Sequence, residues 1–136
     1  MRELPDKYKY NHGLKRFEKK YENWDCSKEG FEGIRAQDIL PLLITRFNFE
    51  LFIAFGNIID IFVDRCFGHN FDPAIEWDRS FIDRVQAIDM AAIEGGCVKP
   101  THMLAAMTNM QITQMKMHKH LSPGFCVRRP SRFFYM

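Results

Sequence analysis

The chain has 136 residues, of which 46% are hydrophobic and 26% are charged, and its formal net charge is +2. This length predicts a single domain with a core of its own, and the small net charge argues against nucleic acid as a partner. No apolar run approaches the roughly 18 residues that span a bilayer, and the N-terminus lacks the apolar core of a signal peptide. We therefore expect a cytoplasmic protein without a membrane partner.

The N-terminal quarter of the chain, up to residue 33, is polar and poorly periodic. The stretch GFEGIRAQDILPLL, residues 30–43, then reads as a turn that runs into a helix over Ala36–Arg46. Because proline is tolerated best in the first helical turn, Pro41 places the expected helix start near Gln37 or Asp38. The glycines fit a loop-to-helix entry, since a phosphate-binding loop needs more glycines and a preceding strand.

The segment NFELFIAF, Asn48–Phe55, predicts a strand that is apolar on both faces. Strict alternation would place Phe49, Leu51, Ile53 and Phe55 on one face. Phe52 and Ala54 would then share the other face with Glu50. A strand of this kind needs protein on both sides.

Two further helices are expected. Ile58–Phe67 is apolar nearly all round and ends at a glycine, which favours a helix with Asp60 and Asp64 on one face. That face either carries paired acid–base carboxylates or points to solvent and to nearby arginines. Ile75–Glu94 is clearly amphipathic and is followed by Gly95-Gly96; its apolar stripe is Trp77, Phe81, Val85, Ile88 and Ala92, with Asp78, Arg79, Asp83 and Arg84 off the stripe.

Thr101–Met107 predicts a second strand, and the remaining residues 109–136 carry five basic and no acidic side chains. Such a tail either contacts acidic surfaces or is a mobile end. We expect the latter, and divide the chain into a segment 1–108 and a mobile basic tail 109–136. The order of helices and strands predicts an α+β fold, and two strands alone rarely hold a fold.

Cysteines, histidines and methionines do not indicate a metal site. The four cysteines are far apart and match neither metal-ligand spacing nor a disulfide framework, and His118 and His120 have no acidic or thiol companion nearby. Five methionines between residues 103 and 117 have irregular spacing, which favours core filling and a loose tail over soft-metal binding: Met103, Met107, Met110, Met115 and Met117.

Five segments together resemble the C-terminal part of a bacterial class I S-adenosylmethionine-dependent methyltransferase. They are GFEGIRAQDILPLL, FELFIAFGN, FVDRCFGHNFD, DRSFIDRV and KPTHMLAAM. The resemblance covers about residues 4–107 and implies the edge of a Rossmann-like α/β sheet. Phe49–Phe55 would be the sixth strand and Thr101–Met107 the seventh, paired antiparallel, with the seventh between the fifth and sixth.

The chain departs from that family where the family binds its cofactor. The glycine-rich loop after the first strand and the acidic residue that ends the second are both missing, as though the chain began after the fifth strand. S-adenosylmethionine is thus the cofactor of the resembled family, and we expect no cofactor to bind this chain alone. The implied partners are the missing cofactor-binding half, a second copy through an exposed sheet edge, and a small-molecule methyl acceptor.

Four residues are candidates for the substrate side of such a site. Gly33 and Arg35 lie where the resemblance places acceptor entry, and Arg35 either pairs with an acidic substrate group or faces solvent. His69 could act as a general base and Asn70 could orient an acceptor, or both belong to a polar loop between helices. No residue is assigned as catalytic, cofactor-binding or metal-binding.

Two functional hypotheses follow. The first is a C-terminal, substrate-side segment of a methyltransferase, inactive without its cofactor half. The second is a small non-catalytic α+β interaction module whose apolar sheet edge binds a partner.

Overall fold

A computed structural model describes residues 3–21 and 36–128 of the chain. This part is a small α+β structure, the class that the sequence predicts, and it has two sheets and four α-helices. In chain order, its elements are a 3-10 helix Asp6–Lys9, β1 (Tyr10–Asn11), β2 (Arg16–Phe17), α1 (Ala36–Arg46), β3 (Asn48–Phe55), α2 (Asp60–Val63), a 3-10 helix Gly68–Asn70, α3 (Glu76–Glu94), β4 (His102–Thr108), β5 (Lys116–Met117) and α4 (Pro123–Cys126).

The chain divides into two compact units, which are described separately. Met1–Trp24 and Gly56–Val98 form the helical unit, and Asp25–Phe55 and Lys99–Met136 form the sheet unit. The division expected at residue 108 does not coincide with either boundary.

The long helix of the helical unit forms as predicted. α3 covers Glu76–Glu94, within one residue of the expected start. Its C-terminus is closed by the backbone N–H of Gly96, which donates to the Ile93 carbonyl at 3.0 Å. Gly96 has a φ of 73°, a left-handed conformation that glycine adopts without steric cost.

The buried face of α3 differs from the predicted stripe. Asp78, Asp89 and Ile93 are buried, whereas Trp77 and Ile88, which we expected to be buried, are 49% and 54% exposed. The inward face thus includes two carboxylates, and the prediction that Asp78 lies off the buried stripe is wrong. Their own spacing from Ile93, at four and fifteen residues, is helical, and could have placed all three on one face.

The predicted helix Ile58–Phe67 is wrong beyond its first turn. Only Asp60–Val63 is α-helical. The Asp64 carboxylate accepts the backbone N–H groups of Cys66 at 2.8 Å and Phe67 at 3.0 Å, which replaces helical bonding by a local turn. Asp60 and Asp64 therefore do not share a helical face as a carboxylate pair.

Both predicted strands of the sheet unit form, and their antiparallel pairing is confirmed. β3 pairs with β4 along its length, with Phe52 opposite Ala105. On its other side, β3 pairs in parallel with the two-residue strand β5. The strand order is β4-β3-β5, so β3 is the central strand and β4 the outer strand within the described residues.

A β-bulge changes which side chains of β3 are buried. The register shifts between Phe49 and Leu51, so Glu50 is an extra residue, and an extra residue moves the side chains before it to the opposite face. Phe49, Phe52 and Ala54 are consequently buried, while Phe55 is exposed. The Phe49 and Phe52 rings meet edge to face, with centroids 5.5 Å apart. The alternation predicted for Phe49 is therefore wrong.

α1 has the predicted bounds, but not the predicted position for its proline. The helix begins by Ala36, so Pro41 lies in its second turn rather than its first. Proline has no N–H to donate to the Gln37 carbonyl. None of the residues of this helix is buried, and Ile39 and Leu42 are more than half exposed.

The described part of the basic tail packs into the sheet unit, contrary to the expected mobile end. Residues 109–128 contain β5 and α4, and Leu121 and Cys126 are buried. The Ser122 hydroxyl caps α4 by accepting the Phe125 N–H at 3.2 Å. Lys99 donates to the Phe125 carbonyl, and its ammonium lies 4.2 Å from the Phe125 ring centroid. Residues 129–136 lie outside the described part.

Replacing Phe52 by alanine should destabilise the sheet unit more than replacing Phe55 by alanine. Phe52 is fully buried and Phe55 is 45% exposed on the same strand. We expect Phe52→Ala to lower the free energy of unfolding by about 3–5 kcal/mol, and Phe55→Ala by about 1 kcal/mol. Urea denaturation followed by circular dichroism measures both. Equal losses would contradict the buried face assigned to β3.

Candidate functional site

The helical unit contains a cleft of about 470 Å³, a volume in the range of small-molecule sites. Its wall combines aromatic rings with charged side chains, including Phe62, Arg65, His69, Phe71, Asp72 and Arg79. Of the sequence-predicted site residues that the structure describes, His69 lines this cleft.

Asn70 is used within the fold. Its Nδ2 donates to the carbonyls of Tyr8 at 3.2 Å and Tyr10 at 2.8 Å. Its Oδ1 lies 2.9 Å from His12 Nε2, and since Nδ2 is the donor of the amide, His12 donates in this bond. The His12 and His69 rings meet edge to face at 5.3 Å. Asn70 therefore holds the N-terminal segment to the loop that carries His69.

The other two candidates, Gly33 and Arg35, lie outside the described residues. The structure brings His69 and Asn70 together in one 3-10 helix, and their distance from the GFEG turn is not defined.

The carboxylates in the cleft wall mostly hold backbone turns. Asp64 bonds the amides of the turn after α2. Asp72 accepts the N–H of Ala74 at 2.8 Å, and Asp78 accepts the N–H of Asp72 at 2.9 Å. A general acid or base needs a carboxylate free to reach a ligand, so these three are structural in this arrangement.

Asp78 is the polar centre of the helical unit. It is 1% exposed and accepts the Tyr8 hydroxyl as well as the Asp72 amide. The Tyr8 ring stacks at 4.9 Å on both Phe71 and Trp77. Sequence reasoning missed this cluster because its two halves are 70 residues apart.

The pKa of Asp78 lies below its ordinary value. Burial raises the pKa, but the hydrogen bonds from the Asp72 amide and the Tyr8 hydroxyl, with the nearby charge of Lys7, outweigh burial. The carboxylate is therefore ionised in the folded state at neutral pH.

The sheet unit offers a second candidate site, the outer strand β4. Five of its seven residues are exposed and two are half-buried, and Leu104 is 57% exposed. Its sequence HMLAAMT contains no Asp, Glu, Lys, Arg or Pro, the residues by which sheet edges are usually kept from pairing.

Four of the five clustered methionines are exposed rather than core-filling. Met103, Met107, Met110 and Met117 are 37–75% exposed, so the expectation that the first two fill the core is wrong. Polarizable, flexible methionine side chains are common at adaptable binding surfaces. The described residues contain no group of three His, Cys, Asp or Glu that could hold a metal ion.

Among the described residues, no strand is followed by a glycine-rich turn. A class I cofactor site needs a glycine-rich turn after a strand, next to an acidic side chain. β1 and β2 have two residues each, and β3 is followed by the single glycine Gly56.

No helix in the described ranges is long and apolar enough to cross a membrane.

Comparison with known proteins finds no matching family model, curated protein or solved structure. The candidate sites are therefore interpreted from their own geometry.

Removing the charge of Asp78 should destabilise the protein at neutral pH but not in acid. Because the folded-state pKa is lowered, the carboxylate stabilises the fold fully above its ordinary value of 3.8, and this contribution is lost as the pH falls through the lowered value. We expect Asp78→Asn to cost about 1–3 kcal/mol at neutral pH and the difference from wild type to shrink in acid.

Urea denaturation at a series of pH values measures this convergence. Asp83→Asn, which changes an exposed carboxylate of the same helix, is the control and should leave stability unchanged. A constant difference between wild type and Asp78→Asn at every pH would contradict the lowered pKa.

Proposed function

We propose that this chain is a small non-catalytic α+β interaction module and that β4 is its contact element. The observation that carries the proposal is an exposed strand, the outer one of the described sheet, that carries no charged side chain. The backbone N–H and C=O groups on the outer side of a sheet form a template for a further strand.

Exposed apolar side chains elsewhere in the sheet unit support the same function. They are found on α1, just before β3, at the end of β3 and after β4: Ile39, Leu42, Ile44, Phe47, Phe55 and Met110. Large exposed apolar side chains such as these are the groups that protein–protein contacts bury.

The use of the polar side chains in the cleft also favours binding over catalysis. Asn70 and three of the carboxylates are occupied by bonds within the helical unit, which leaves His69 and the exposed Asp83 of the cleft as candidates for acid–base chemistry. In the described part of the chain, His69 has a ring contact with His12 and no hydrogen bond that would orient it, which is a weak catalytic arrangement.

Selection of random peptides on the sparsely immobilised chain tests the module. We expect enriched peptides to bind wild type at least about tenfold more tightly than Leu104→Lys, a difference of about 1.4 kcal/mol. They should also protect the amides of residues 102–108 from hydrogen exchange. Peptides that bind both proteins equally, or that protect only other segments, would overturn β4 as the contact element.

We propose the substrate-side methyltransferase segment as the second candidate function. The sequence resemblance carries this candidate, and the antiparallel pairing of β3 with β4 is the pairing that the resemblance implies for its last two strands. The central position of β3 counts against it, because the resemblance implies that the seventh strand, not the sixth, lies between two others.

Titration calorimetry separates this candidate from the first. A longer chain that includes in-frame upstream residues with a glycine-rich loop should bind S-adenosylmethionine with a micromolar dissociation constant, about −8 kcal/mol. The 136-residue chain should bind it far more weakly. Micromolar binding by the 136-residue chain would refute the view that its cofactor half is missing.

A further inference from the structure

We infer that the occupant of β4 is the β4 strand of a second copy of this chain, paired antiparallel about a two-fold axis through Ala105. This inference rests on the proposed function and names its partner. The joined sheets would form one six-stranded sheet in the order β5-β3-β4-β4′-β3′-β5′, extending the three-stranded order seen in one copy.

The sequence of β4 is complementary to itself in this register. Centring the pair on Ala105 opposes Leu104 to Ala106 of the other copy, a large side chain against a small one. Met103 then opposes Met107. The two side chains of each opposed pair point to the same face of the sheet, because residues directly across an antiparallel pair point the same way.

The two faces of β4 continue those of β3. Ala105 lies across from buried Phe52, and Leu104 lies across from Ile53. In the proposed pair, the exposed Leu104 side chain thus extends the apolar surface that Ile53 of β3 forms on the same face. A register shifted by one residue would oppose side chains of different faces.

Charge and order favour a second copy over an unrelated segment. β4 has no formally charged residue, so two copies meet without like-charge repulsion and a charged partner would find no counter-charge on the strand. The copy also presents a strand that is already ordered by β3. A disordered peptide would lose conformational entropy on pairing.

Sedimentation velocity of the full chain tests the inference. From about 1 to about 100 μM, wild type should pass from 16.1 kDa toward twice that mass. Leu104→Lys and Ala106→Glu should each weaken self-association at least about tenfold, because each puts two like charges on diagonal positions about 7–8 Å apart.

An equimolar mixture of the two variants tests the register. The lysine introduced at position 104 of one copy would then lie directly across from the glutamate introduced at position 106 of the other, about 4.5–5.5 Å apart. The mixture should therefore regain the dimer mass that neither variant reaches alone. Ile88→Lys is the matched control, since Ile88 is similarly exposed but lies in the helical unit; it should dimerise as wild type does.

Each outcome bears on the inference. A wild-type chain that stays monomeric, a control that dissociates as Leu104→Lys does, or a mixture that fails to re-associate would overturn it. Concentration-dependent protection of the amides of residues 102–108 in wild type gives a second readout that requires no variant to fold. If the chain is monomeric but selected peptides still bind β4, the inference fails and the interaction module stands; if neither occurs, both fail.

Discussion

The helical unit depends on the buried carboxylate of Asp78. A carboxylate removed from water must be compensated by hydrogen bonds, and here the donors come from Tyr8 near the N-terminus and from the Asp72 amide before α3. These two donors can meet the carboxylate only if the N-terminal segment, the 72–75 turn and the start of α3 keep fixed positions. The stacked rings of Tyr8, Phe71 and Trp77 then pack around this polar centre.

Polar clamps of the same kind recur in that unit. Asn70 bonds two carbonyls of the N-terminal segment, and the buried Asp89 accepts the N–H of Ile58 at 2.7 Å. Polar side chains of a kind often found in active sites therefore stabilise loops here through hydrogen bonds. They are needed because short, irregular segments have few regular backbone bonds of their own. A cleft with functional-looking residues need not be an active site.

The sheet unit buries its core on one side of β3 and leaves apolar side chains exposed elsewhere. The bulge at Glu50 turns Phe49 to the face of Phe52 and Ala54, which concentrates burial on one side of β3. The opposite face and the β4 edge keep apolar side chains in contact with water. Burial of a large apolar side chain is worth about 1.5–3 kcal/mol, and this distribution is the physical basis of the proposed association.

The sequence alone determined the elements whose signals are local. Period-2 and period-3.6 patterns, with glycines at the ends, gave β3, α3 and β4 within a residue, and the α+β class followed from their order. Only the tertiary structure decided which faces are buried and which polar residues are used. The bulge at Glu50, the turn at Asp64, the burial of Asp78 and the packing of Leu121 each depend on hydrogen bonds or contacts that override the local pattern. Partners far apart in the chain, such as Tyr8 and Asp78, leave no periodic trace in the sequence, because their meeting is set by the path of the backbone between them.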